Sequence, residues 1–144
     1  MKHLFLVKSE QELAPLRRYA EEIAPLFERY LLFLREIYQV RDLPRAIVWT
    51  DYDSAVNIIS GIPLPAYTND YRTVMVPDIA VWGALYQMQL DGYPESAVTA
   101  RLRDYYSRLS DQNILQILGH EMVHHSELFI DEAYETEMWF EEGM

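Results

Sequence analysis

The stretch "ILGHEMVHHSELF", residues 117–129, places three of the chain's four histidines within six positions, with Glu121 directly after the first. His120-Glu121-Met122-Val123-His124 is an H-E-x-x-H pattern. Residues four apart share one face of an α-helix, so both imidazoles can reach a single Zn²⁺ at about 2.0–2.1 Å while Glu121 stands beside the metal's open position. Water bound to such a zinc has its pKa lowered to about 7, and Glu121 is the candidate general base that takes its proton during attack on a carbonyl. Ile114, Leu115, Ile117 and Leu118 give the helix an apolar approach, which a chance match on a surface helix would not need. Gly119 is expected to leave open space beside His120.

Two histidines do not close a zinc site, and the chain has no cysteine, so a third ligand must be His, Asp or Glu. The candidates lie in "DEAYETEMWFEEGM", residues 131–144. A continuous helix would separate residue 142 from residue 124 by roughly 27 Å at 1.5 Å per residue. The chain is therefore expected to turn back over residues 126–131, with Asp131 capping the next helix and Glu132 and Glu135 in its first turn.

With 144 residues and half its composition apolar, the chain can bury one ordinary core, so residues 1–144 are expected to form a single domain. No apolar run approaches the length of a membrane span, and "LFLV" at 4–7 is too short for a signal-peptide core. A cytoplasmic address is the expectation. The net charge of −11 is unevenly placed: residues 1–110 carry 14 acidic and 12 basic side chains, whereas residues 111–144 carry nine acidic and no basic ones. Phosphate binding depends on clustered Lys and Arg, so neither nucleic acid nor an anionic membrane is expected as a partner. Glu127, Glu132, Glu135 and Glu137 read as solvated helix residues. His125 points about 100° away from His124 on an ideal helix and reads as an exposed or hydrogen-bonded side chain, with an outer-sphere role as the alternative.

Along the rest of the chain, "SEQE" at 9–12 is a capping-box pattern, and Leu26, Tyr30, Leu34 and Tyr38 recur at helical spacing. Pro15 and Pro25 suit first helical turns, so two consecutive helices are expected. "AIVWT" reads as a strand, and "DSAVNII" as a short helix ending near Gly61. Asn69-Asp70 is a hairpin turn between strands at 66–68 and 72–76. Pro65 and Pro77 flank that pair, placing it at a sheet edge. There Arg72, Thr73, Val74, Met75 and Val76 are the candidate substrate-binding residues, offering backbone groups to an extended peptide. Helices follow at "IAVWGALYQMQL" and "ESAVTARLRDYYSRL", and Ser110 is the N-cap of the histidine helix.

"HEMVHH" followed by "MWFEEGM" resembles the gluzincin metallopeptidases, in which an H-E-x-x-H helix precedes a second helix whose W-x-x-E-G-like phrase supplies the third ligand. The order of strand, small helix and hairpin from "AIVWTDYDSAVNII" to "RTVMVPD" is similar to that of peptidase MA-like proteins. The resemblance covers about 100 residues, 45–144, and its specific motifs lie in the last 25. It implies an α+β, zincin-like fold: N-terminal helices, a small mixed sheet with a hairpin edge, an active-site helix, and a glutamate helix at the C-terminus. It implies one Zn²⁺ on His120, His124 and Glu142, Glu121 as general base, and a peptide or protein as substrate. Glu141 stays open as the ligand, because the spacing from His124 is one residue shorter than the commonest gluzincin pattern. Trp139 and Phe140 are expected to anchor the second helix on the first. The chain ends two residues after Glu142. It is either a portion of a longer peptidase, a minimal peptidase recruiting Tyr134, Tyr67 or Tyr71 at the oxyanion, or a binding or regulatory domain that keeps the metal without catalysis. An acidic structural domain without metal is the remaining reading.

Overall fold

A computed structural model describes residues 1–61 and 65–127. The elements are β1 (Lys2–Leu6), α1 (Glu10–Tyr38), β2 (Ala46–Thr50), α2 (Tyr52–Ser54), which runs into a π-helical turn (Ala55–Ser60), β3 (Ala66–Thr68), β4 (Arg72–Met75), α3 (Ile79–Leu90), α4 (Ala97–Tyr106) and α5 (Asp111–Val123). The α+β class expected from the sequence is present. The strands form a mixed sheet in the order β1-β2-β4-β3, with β1-β2 and β2-β4 parallel and β3-β4 antiparallel.

The expected pair of N-terminal helices is one helix, α1, with Pro15 and Pro25 inside it. Both prolines are exposed, while Ala20, Ile23, Phe27, Leu31 and Leu34 form an unbroken buried stripe on the opposite side. Burying a large apolar side chain stabilises by about 1.5–3 kcal/mol, against roughly 3 kcal/mol for an interior proline. Breaking the helix at Pro25 would divide the stripe and cost more than the missing hydrogen bond. Ser9 is the N-cap, as "SEQE" suggests, but its side chain makes no capping bond.

β1 was not legible as a strand. It pairs with buried β2, and His3 Nδ1 accepts a 3.0 Å hydrogen bond from the Trp49 indole. Asp51, just past β2, accepts bonds from the Ser54 N–H and hydroxyl and from the Lys8 N–H. Burial alone would raise its pKa, but these donors outweigh it and hold the carboxyl below its ordinary range.

The hairpin is present, with its turn one residue later than expected. Asn69 N–H donates to Arg72 C=O, and Asn69 Oδ1 accepts from the N–H groups of Tyr71 and Arg72, each at 3.0 Å, so Asp70-Tyr71 is the turn's centre. The edge assignment is corrected. β4 lies between β2 and β3, so its backbone is committed on both sides, and Thr73, Val74, Met75 and Val76 are buried; only Arg72 of the five proposed substrate residues is exposed. The apolar run "TVMV" gains more from the interior of the sheet than the short, half-buried β3, which takes the edge.

The main core lies between the sheet and helices α1 and α5, built on Phe27, Leu34, Trp49, Met75, Leu118 and Met122. A second cluster of Ala55, Val76 and Trp82 seats α3, and the Trp82 indole donates to Val76 C=O at 2.8 Å. Among the described residues no helix is long and apolar enough to cross a membrane.

Candidate metal centre

Helix α5 begins at Ser110, where the Ser110 and Asn113 side chains form a capping box. Ile114, Leu118 and Met122 are buried beneath it, which leaves His120 and His124 on its outer side, half-buried. His124 is the C-cap but keeps helical backbone angles (φ −57°, ψ −17°), so one turn still separates it from His120. Their Nε2 atoms are 3.2 Å apart and the rings lie nearly perpendicular, at 89°. Two imidazoles on one tetrahedral zinc, each about 2.0–2.1 Å away, would hold their nitrogens roughly 3.3 Å apart. The pair fits a shared metal in donor type and spacing. Glu121 is buried, 7% exposed, in the same turn.

Among the described residues no third His, Asp or Glu joins the pair in a metal-binding group. Glu142 and Glu141, with Asp131, Glu132, Tyr134, Glu135, Glu137, Trp139 and Phe140, lie outside the described residues. Of the reversal expected over residues 126–131, only residues 126 and 127 lie within the described residues. Ser126 forms an antiparallel bridge with Val40, its hydroxyl donates to Tyr38 C=O, and Glu127 pairs with Arg41 at 3.0 Å. The chain thus leaves α5 beside the C-terminal end of α1.

His125 is a hydrogen-bonded histidine. Its Nε2 lies 2.8 Å from Thr68 Oγ1, which in turn lies 2.8 Å from Thr73 Oγ1. Burial pushes its pKa down, with Asp70 and Asp42 opposing and His124 adding to the fall. Thr68 therefore ties the end of α5 to the outer strand, and no sequence pattern distinguishes it from any other strand threonine. The space expected beside Gly119 is filled: a side chain there would meet the Tyr30 ring. Of the proposed oxyanion tyrosines, Tyr67 accepts a 3.5 Å bond from Arg72, and Tyr71 lies under the Arg45 guanidinium.

The outer edge of β3 has a definite phase. Pro65 C=O accepts from Val76 and Asn69 N–H donates to Arg72, so the odd-numbered residues face β4. Ala66 and Thr68 point their backbone groups outward, and among the described strands none pairs with that edge. The edge sits against α5. The comparisons with known proteins add nothing to this geometry: no protein-family model, curated protein or solved structure matches the chain.

Proposed function

We propose that the chain is a zinc-dependent metallopeptidase of gluzincin type, with His120, His124 and Glu142 as ligands and Glu121 as general base. The observation that carries the reading is the 3.2 Å approach of the two Nε2 atoms on one helical turn, with the carboxylate of Glu121 between them in sequence. Zinc, when bound, supplies Lewis acidity and lowers the pKa of a coordinated water to about 7. Glu121 accepts the proton given up in the attack and returns it to the leaving amine. Its burial keeps bulk water from competing for that proton. An extended peptide adds to the outer edge of β3, bonding to the N–H and C=O of Ala66 and Thr68, in place of residues 72–76. Thr68 couples that edge to α5 through His125.

Metal analysis and peptide hydrolysis test the reading together. The parent chain should hold one zinc, and His120→Ala or His124→Ala should release it. Glu121→Gln should keep the metal and the fold while losing about 10²–10⁴-fold in hydrolysis, since an amide cannot accept the proton. Metal retained by both histidine variants at the parent's stoichiometry would overturn the site. Zinc bound by a parent chain that hydrolyses no peptide would select the metal-binding or regulatory domain instead.

A further inference from the structure

Ile114 and Ile117 of α5 meet α3 and α4 around an apolar cleft. Trp82 and Ile114 are its most buried members, Ile79, Tyr86, Tyr106 and Ile117 are half-buried, and Tyr105 stands at the rim. The Trp82 and Tyr86 rings lie 6.4 Å apart, and those of Tyr86 and Tyr106 4.9 Å apart. The cleft has a volume of about 310 Å³, and roughly 150 Å³ suffices to hold a benzene ring. None of its lining side chains is charged. Asn113 fixes the rim, donating to the Tyr105 hydroxyl at 2.8 Å and to Gln116 Oε1 at 3.3 Å. Gly83 lets α3 close on α4, since a Cβ there would lie 3.2 Å from Tyr106 C=O. A preformed apolar hollow with a few polar groups at its mouth has the composition of a ligand site.

We propose that this cleft takes a large apolar side chain, of phenylalanine or leucine size, from the peptide laid on the outer edge of β3; the inference rests on that reading of the edge. Two relationships place the cleft on the peptide's path. Gln116 borders both this cleft and a neighbouring one, between α1 and α5, that His120 also borders. Asn113 and Ile117 precede His120 on the same helix, by roughly 5–10 Å along its axis. The hairpin runs the same way. Thr68 reaches His125 at the C-terminal end of α5, whereas Val76, which donates to Pro65 C=O at the other end of β3, accepts from the Trp82 indole of the cleft. A peptide leaving the edge past Ala66 therefore heads for the cleft, and at about 3.3 Å per residue its side chain enters within about three residues of the carbonyl held at the histidine pair. The acidity of the chain as a whole would suggest a basic side chain, but these walls offer no carboxylate to a buried ammonium or guanidinium.

Methyl-labelled isoleucine reports on the cleft without any hydrolysis. In excess chelator, N-acetyl-phenylalaninamide should shift the Ile79, Ile114 and Ile117 methyl resonances along one saturable isotherm, and N-acetyl-alaninamide should not. Ile58, 67% exposed on the π-helical turn, is the control and should stay in place. Ile117→Phe and Leu109→Trp each fill part of the cleft and should weaken the phenylalanine probe about tenfold or more, with Ile79 and Ile114 still reporting. No shift at the three methyls of the parent chain, or equal shifts with both probes, would overturn the proposal. With zinc present, peptides carrying one phenylalanine at successive positions of an alanine background place the subsite. Cleavage within about three residues of the phenylalanine, about tenfold or more faster than in the all-alanine peptide, is the expected result. Hydrolysis blind to the position of the phenylalanine would overturn the subsite and leave the peptidase standing. Probe binding at the three methyls in a chain that cleaves no peptide would support the cleft and count against hydrolysis alone.

Discussion

Gly119 and Tyr30 compete for one volume: a Cβ at position 119 would lie 2.8 Å from the Tyr30 hydroxyl oxygen and closer still to the ring. The glycine is therefore the contact through which α1 and α5 approach, on the turn that ends at His120. Gly119→Ala sets two effects against each other. Alanine gains up to about 1 kcal/mol in helix propensity, whereas overpacking costs about 1–3 kcal/mol. Denaturant unfolding should show net destabilisation in the parent. In a Tyr30→Ala background the sign should reverse, and destabilisation by the same amount in both backgrounds would refute the shared volume.

Glu142 and Glu141 separate by ligation. Under the proposed ligand set, Glu142→Gln should weaken zinc together with whatever stability the metal lends the fold, and Glu141→Gln should leave both near the parent values. Zinc titration followed by thermal unfolding with and without chelator measures the two effects. The reverse pattern would move the ligand by one residue.

His3 supplies a pH dependence that does not involve the histidine pair of α5. Burial lowers its pKa below 6.5 and the N-terminal ammonium adds to the fall, while Glu28 opposes. Its Nδ1 must stay unprotonated to accept from the Trp49 indole. Between pH 6.5 and the lower folded pKa the unfolded chain binds more protons, so stability is full above 6.5 and declines as the pH falls through that window. His3→Gln should flatten the fall in melting temperature between neutral pH and pH 5. An unchanged slope would show that the ring protonates freely in the folded chain.

How much of this was legible in the sequence divides along a physical line. Local signals were sufficient for the start of α5 and the hairpin, where Ser110 and Asn69 act within a few residues. Long-range pairing was not: "KHLFL" has no alternation that marks β1, and only the register against β2 makes it a strand. Pro15 and Pro25 read as helix starts because a proline's local cost is visible and the buried stripe offsetting it is not. The histidine pair was legible because four-residue spacing is itself the geometry. Which hairpin strand takes the edge depends on the partner of β4, and that partner is β2, more than twenty residues earlier in the chain.

The Thr68 hydroxyl tests whether that edge positions the histidine helix. It sits 2.8 Å from both His125 Nε2 and Thr73 Oγ1, and Thr73 is fully buried. Thr68→Val preserves the shape but leaves two polar partners without their bridge, a loss of about 1–3 kcal/mol for a buried group. Thr68→Ser keeps the hydroxyl and should recover most of it. Amide exchange should accelerate in β3 and in the last turn of α5 together, since one oxygen joins them. In the peptidase reading, Thr68→Val should lower kcat more than it raises KM, because the backbone groups that bind peptide at the edge remain while the turn carrying His120 and His124 loses its anchor. Faster exchange in β3 alone, with α5 unaffected, would show that His125 is held by its other neighbours and that the strand does not position the helix.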